Sequence, residues 1–530
     1  MADSEKFAIL LKGVDAWNNW RARSGDDPDE HEEKIDLTCI NIMRANLEDA
    51  NLSSVNLNGS NLFGVNLAGA NLEGADLSDA DLKESNLSGA NIQEADLNGS
   101  DLRRATLRKA KISNTILNKS NLEKANLSEA YMSESCMMEV KLYGANLSKA
   151  ILNDVILSES NLEGANLSGS DLCRANLRKA ELNNAELIET NLERADLSDA
   201  YLNNANLNGA KLEKTDLSNA RLYRVNFRDA ILTSACLNGA ILKESDLSGA
   251  KLLNASLINA DLIGANLRKA NLKGAKLFGA NLKGTDFSDT NLNGTQFVNA
   301  DLEDANFKEA TLVETNFEGA NITGCKIYGI SAWDLKLKDA KQEGLIITPL
   351  ERSTITVDNI EVAQFVYLLL SHEKIRDVIN SVTKRGVLIL GRFEGNGLEI
   401  LQSIASELRS KKYLPIIFNF NKPDARDYTE TIKILVGLSR FVVVDISGPS
   451  VPQELYATVP FFDIPFVPII DESRKPYSMY LDLYKYSWFL PIVKFSSKDQ
   501  LIKRIPLEVI FPAEEKCKER QRDLDRIFPS

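Results

Sequence analysis

The sequence predicts a multidomain chain: a long β-solenoid of stacked four-sided coils, followed by a smaller α/β domain with a parallel sheet. Two observations carry this. A five-residue period runs from Ile42 to Ile327 without insertion or deletion, and beyond Gly386 short unbroken apolar runs alternate with helical stretches. The boundaries follow from where each pattern starts and stops: 1–35 an N-terminal helical cap, 36–330 the repeat, 331–384 a helical connector, and 385–530 the α/β domain with a C-terminal helical tail.

The period of five decides the first part. Every central position of the fifty-eight pentads is Leu, Ile, Met or Phe, as in Leu47, Met132 and Phe227. Two residues earlier sits a compact side chain, mostly Ala, otherwise Ser, Thr, Val, Ile40 or Cys325, and the residue between them is commonly Asn or Asp. A helix needs a period of 3.6 and a flat strand a period of two, so a strict five fits neither as one continuous element. The chain must turn once per pentad. The compact residue and the Leu lie two apart, on one face of an extended triplet, while Asn or Asp points outward. Four such sides close a coil of about twenty residues, and stacking coils at the inter-strand spacing of ~4.8 Å gives a tower on the order of 70 Å tall.

The pattern Ala45-Asn46-Leu47-Glu48-Asp49 and its successors resembles the pentapeptide-repeat family over about 290 residues. That resemblance implies a right-handed quadrilateral β-helix. It also implies binding of a protein partner on the solenoid surface, since repeat towers of this kind serve as scaffolds. Some members of the family mimic a DNA duplex to bind topoisomerases, which requires an acidic face along the tower. Basic residues such as Arg103, Arg104, Arg108, Lys109 and Lys111 interrupt any such face here, so mimicry is the lesser expectation.

A tower exposes backbone edges at both ends and needs caps. Ser4 to Arg21 reads as one amphipathic capping helix, with Phe7, Leu10, Leu11, Val14 and Trp17 at helical spacing and Trp17 and Trp20 packed on the first coil. An acidic stretch from Asp26 to Glu33 links cap to tower. At the other end the repeat decays after Ile327, the segment through Leu350 reads as irregular, and Val362 to Val382 carries an apolar helical pattern after the start signal at Asp358-Asn359-Ile360-Glu361.

Composition excludes several function classes. A net charge of −13 opposes nucleic-acid binding, which draws on a basic face. Cys39, Cys136, Cys173, Cys236, Cys325 and Cys517 are scattered without metal-like spacing, as expected of reduced cytoplasmic thiols. Histidine chemistry has only His31 and His372 to draw on, and both suit packing or surface roles. No apolar run approaches the ~18 residues needed to span a membrane. The short run Phe7–Leu11 is cut by Lys12, too brief for a secretion signal, so the chain is expected to be cytoplasmic, with no membrane partner.

In the C-terminal part the apolar runs are 387–390, 414–418, 441–444 and 466–470, with helices expected at 397–410, 428–438 and 452–459. Unbroken apolar strands of this length predict a parallel sheet covered by helices on both faces. An extra strand and a solvated charged helix from Glu514 to Arg526 are expected after residue 472. Ligands of such sheets bind beyond the carboxyl ends of the strands. That rule selects the loops 391–397, 419–427 and 445–454. In the first, Gly391 and the glycines after it can aim backbone amides at a phosphate. In the third, Pro452 opens a helix whose first turn carries Glu454.

The stretch from Asp445 through Ser447-Gly448-Pro449 to Glu454 resembles the TIR-like α/β domains of bacterial proteins and, more distantly, nucleoside deoxyribosyltransferase-type folds. The resemblance implies a flavodoxin-like sheet and cleavage of an N-glycosidic bond, with Glu454 as the catalytic carboxylate at the ribosyl carbon. NAD or a related nucleotide is then the substrate and no cofactor is required, with Arg392 on the pyrophosphate, Phe393 stacked on a base, and Asp445 orienting Glu454 or a ribose hydroxyl. It implies equally a bacterial defence or signalling setting, antiphage defence included, and a homo-oligomer formed through the TIR-like domain. An acid in the first turn of a helix also suits the helix dipole, which is the structural alternative for Glu454. The functional alternative is a scaffold without enzymatic activity whose TIR-like domain serves only self-association.

Overall fold

The computed structural model describes residues 3–24, 35–349, 354–371, 373–391, 397–418, 428–447, 455–456, 458–476 and 478–527. The chain divides into two compact units, Met1–Tyr367 and Leu368–Ser530. His31, His372 and the acidic stretch 26–33 lie outside the described residues.

In the first unit the outward residue of each pentad bridges in parallel to its counterpart 20 positions on, from Asp36↔Asn56 to Lys326↔Ile346. Each rung is held by the main chain. The Leu47 N–H donates to the Asn66 carbonyl at 2.7 Å, the Asn66 N–H to the Ala45 carbonyl at 3.0 Å, and the Asp49 N–H to the Ala68 carbonyl at 2.9 Å. The corner closes where the Ala50 N–H meets the Leu47 carbonyl at 3.1 Å, and Asp49 stands at φ 60°. A positive φ at the third turn residue suits Gly or Asn best. Lys, Glu and Arg occupy many of these corners all the same, because the rung hydrogen bonds on both sides determine the backbone there.

The central Leu, Ile, Met and Phe fill the shaft. Near its far end Phe287 stacks on Phe307 (5.1 Å, 10°) and Phe297 on Phe317 (5.2 Å, 8°), and the two stacks meet edge to face across the shaft. Buried hydroxyls at the compact position donate to Leu carbonyls: Thr285 and Thr315 to the coil before at 2.9 Å, Ser100 and Ser120 to the Leu three residues back at 2.7 Å.

Both ends differ from expectation in detail. The N-terminal cap is two helices, α1 (Ser4–Leu10) and α2 (Val14–Ser24), because Gly13 at φ 105° turns the chain between them. Trp17 is buried and donates its indole N–H to the Asn51 carbonyl at 2.7 Å. Asn18 exchanges hydrogen bonds with the Asp49 carbonyl and the Asn51 N–H. The coil also does not stop at 330. Ser331–Trp333 pairs in parallel with Thr311–Val313, and Lys336, Lys341 and Ile346 each bridge to the coil before. The side-chain pattern fades there, with Gln342 at a central position, but rung pairing uses only N–H and C=O groups and outlasts it. An antiparallel pair, Leu345–Ile346 with Thr356–Val357, then leads to α3 (Ile360–Ser371), whose Ile360 and Ala363 are buried in the shaft's own core.

The second unit holds α4 (Glu373–Arg385) and five parallel strands: β1 (Gly386–Leu390), β2 (Leu414–Phe418), β3 (Phe441–Asp445), β4 (Phe466–Asp471) and β5 (Val493–Phe495). Their order is β2-β1-β3-β4-β5. Alternate strand residues feed two cores. Val387, Ile389, Phe441 and Val443 meet α5 (Gly397–Ser410), α7 (Lys498–Arg504) and α8 (Phe511–Ile527) on one face. Leu388, Leu390, Val442 and Val444 meet α6 (Tyr428–Gly437) on the other. The expected helices 397–410 and 428–438 thus stand as α5 and α6, while most of 452–459 lies outside the described residues. α8 is more than a solvated tail: Glu514 forms a two-pronged pair with Arg440, at 2.7 Å for each contact.

Candidate functional site

The strand order places β1 between β2 and β3, so the connections leave β1 and β3 in opposite directions. Such a switch opens a crevice beyond the carboxyl ends of those two strands, where a doubly wound sheet takes its ligand. Two of the sequence-predicted residues stand there. Gly391 directly follows β1 and Asp445 ends β3. A Cβ built on Gly391 would lie 3.0 Å from the Cβ of Asp445 and 2.7 Å from Leu401 Cδ2 of α5. Glycine is required here by close approach, since its φ is not positive.

Asp445 is only 1% exposed. Its Oδ1 accepts the Ser447 N–H at 3.0 Å, so the carboxylate fixes the start of the loop that leads toward Glu454. Ser447 extends the network to the next strand: its Oγ accepts the Asp471 N–H at 3.0 Å and its carbonyl accepts Arg474 Nη1 at 2.9 Å. Asp471 ends β4 and takes both the N–H and the hydroxyl of Ser473, at 2.9 and 2.7 Å. A hydrogen-bonded series of polar groups thus follows the carboxyl ends of β3 and β4. This arrangement positions a loop; it holds a cation, Arg474, and a carboxylate, Asp471, beyond the carboxyl ends of β3 and β4.

Arg392, Phe393 and Glu454 lie outside the described residues, as does the loop 419–427. Of the predicted constellation, the structure therefore brings together Gly391 and Asp445. Sequence reasoning missed Asp471, Arg474 and the bridging role of Ser447. The signal for Asp471 was available: it closes the fourth apolar run as Asp445 closes the third, and the carboxyl-end rule applies to both.

The amino ends of β1, β2 and β3 offer a shallow cavity of about 470 Å³ lined by Lys384, Arg385, Lys411, Lys412, Tyr413, Arg440 and Glu514. Lys384 and Arg385 close α4, and Lys411 and Lys412 follow α5, where helix dipoles favour positive charge. The Arg440 guanidinium holds Glu514 below the usual carboxylate range. Burial, then the Glu514 carboxylate, pushes the Tyr413 phenol up, and Tyr413 stays a donor to Glu514 at 2.8 Å. This cluster at the amino ends of the strands is a clamp that fastens α8 to the sheet. Among the described residues no group of His, Cys, Asp and Glu could hold a metal ion, and no helix is long and apolar enough to cross a membrane.

Comparison with known proteins places the repeat. The family model for pentapeptide repeats matches the chain in consecutive and overlapping stretches from residue 40 to 330. No curated protein matches it. Among solved structures the chain is 34% identical to HetL, a pentapeptide repeat protein involved in heterocyst differentiation regulation from the cyanobacterium Nostoc, over 45% of this chain and 90% of that one (TM-score 0.30). It is 33% identical to a pentapeptide repeat protein from the thylakoid lumen of Arabidopsis thaliana, over 20% and 72% of the two chains (TM-score 0.16). It is 18% identical to QnrB1, a plasmid-mediated fluoroquinolone resistance protein, over 42% and 90% (TM-score 0.15).

Proposed function

Since the chain belongs to the pentapeptide-repeat family, we propose that it is a repeat scaffold that binds a protein partner along its tower and carries a TIR-like, NAD-cleaving site on its α/β domain. The observation that supports the site is the strand order at the β1/β3 switch, which sets Gly391 so near Asp445 that a Cβ on it would lie 3.0 Å from that of Asp445, although 54 positions separate them in the chain. In this reading the loop anchored by Asp445 carries Glu454. Its carboxylate stabilises the oxocarbenium-like ribose as the C1′–N bond breaks. The bonding pair leaves on the nicotinamide nitrogen, water adds at C1′, and a proton is released. Arg392 holds the pyrophosphate and Phe393 stacks on a base. Asp445, being buried, acts as a positioning residue rather than through contact with substrate.

Incubating the full chain with NAD and following nicotinamide release tests this. Glu454→Gln is expected to lower turnover by about a hundredfold or more. Equal turnover in both proteins would remove Glu454 from the reaction. No release from either, at concentrations where the chain is assembled, would favour the second reading, a non-enzymatic scaffold whose TIR-like domain serves only self-association rather than an enzyme of bacterial defence or signalling. The exposed apolar side chains of the tower favour that second reading. A topoisomerase-directed DNA mimic is the least supported, because Arg174, Arg224 and Lys283 pair with carboxylates of adjacent coils and break up any continuous acidic face.

A further inference from the structure

Apolar residues replace the tower's outward Asn or Asp in two places, around Ile231, Cys236 and Ile241 and, more densely, over three coils nearer the N-terminus. The bridging residue of a pentad is usually Asn or Asp, whose Oδ1 accepts the N–H two residues on, as Asn126 does for Ser128 and Asn146 for Ser148, each at 3.1 Å. In three successive coils that residue is instead Ile116, Tyr131, Cys136, Ile151 or Ile156. These are neighbours through the bridges Ile116↔Cys136, Cys136↔Ile156 and Tyr131↔Ile151. Tyr131 is 48% exposed, Ile116 42% and Ile151 37%. Each forgoes the turn-capping hydrogen bond and leaves apolar surface in water, which a contact surface explains and an isolated tower does not.

The charge pattern identifies what covers it. One ladder reads Lys111, Tyr131, Ile151, Asp171 on consecutive coils. A two-fold axis lying in this face, across the ladder and midway between Tyr131 and Ile151, makes the ladder complementary to itself. An antiparallel second tower then sets its Ile151 on Tyr131 and its Asp171 against Lys111, and each contact occurs twice. Along one flanking corner the same axis sets Lys149 opposite Glu129, whose charge Arg108 and Lys109 of its own tower already meet at 2.6 and 3.5 Å. Along the other it sets Glu134 opposite Asp154, whose charge Arg174 already neutralises at 2.7 Å. Lys111 has no ion pair among the described residues, so it is available to a second copy. We propose that two copies of this chain associate antiparallel, tower against tower, through this ladder. This goes beyond the activity argued above and does not depend on it. The four-rung contact is smaller than the roughly 800 Å² per partner of a stable complex, so the dimer is weak and concentration-dependent.

Sedimentation equilibrium of the full chain at about 0.15 M salt tests it. The wild type is expected to be a reversible dimer. Lys111→Glu and Asp171→Lys should each raise the dissociation constant about tenfold or more through like-charge contact. The double variant K111E/D171K should return it to within about threefold of wild type, because the reversed pairs are again complementary. Far-UV circular dichroism of each variant establishes that its coils are intact. A wild type that stays monomeric, a dimer that neither single substitution weakens, or a double variant no better than the singles would overturn the proposal.

Discussion

The close approach at Gly391 makes a single methyl group consequential. Leu401, which the added Cβ would meet, is fully buried between α5 and the sheet and has little room to turn away. Gly391→Ala is therefore expected to destabilise the α/β unit by about 1–3 kcal/mol through overpacking. A shift of the urea midpoint without a change in slope would show it. Asp445 lies on the other side of the same contact. That Gly391 matters was legible in the sequence only as a glycine after an apolar run. That it is pressed between Leu401 and Asp445 was not, because the two strands that carry Gly391 and Asp445 are paired through backbone hydrogen bonds that no residue type announces.

At the scale of elements, the two caps and α8 carry the consequences. Trp17 fills the open end of the shaft and satisfies a carbonyl of the first coil. Trp17→Ala should cost about 3–5 kcal/mol locally and expose a rung edge to other chains. Faster amide exchange in the first coils, with the far coils unchanged, is the expected outcome for a tower whose repeats contact only their neighbours. For α8 the sign of the pH dependence follows from Glu514, whose folded pKa is lowered, first by its hydrogen bonds to Arg440. Its contribution is full above the ordinary carboxylate range and is lost as pH falls through the lowered value. The stability difference between wild type and Glu514→Gln, read from amide exchange over residues 511–527, should therefore be largest near pH 7 and shrink below about pH 4. The sequence shows the charges of this helix but not their partner: Arg440 is 74 positions away.

For the whole molecule, the sequence alone determined that residues 42 to 327 wind into a four-sided tower and that an α/β sheet follows. The reason is that burial of a side chain at a fixed interval leaves a periodic trace, and a period of five or an unbroken apolar run admits few geometries. The rule for strand ends also supplied the loops 391–397 and 445–454, while the roles of Arg392, Phe393, Asp445 and Glu454 within them came from the TIR-like resemblance. Only the tertiary structure decided that the coils run on to Ile346, that Ile360 and Ala363 close the far end, and that β1 lies between β2 and β3 so that Gly391 meets Asp445. The same holds for the joining of Asp445, Ser447, Asp471 and Arg474 across two strands. Each of these rests on main-chain pairing or on contacts between distant segments, and neither depends on which residue recurs at which interval.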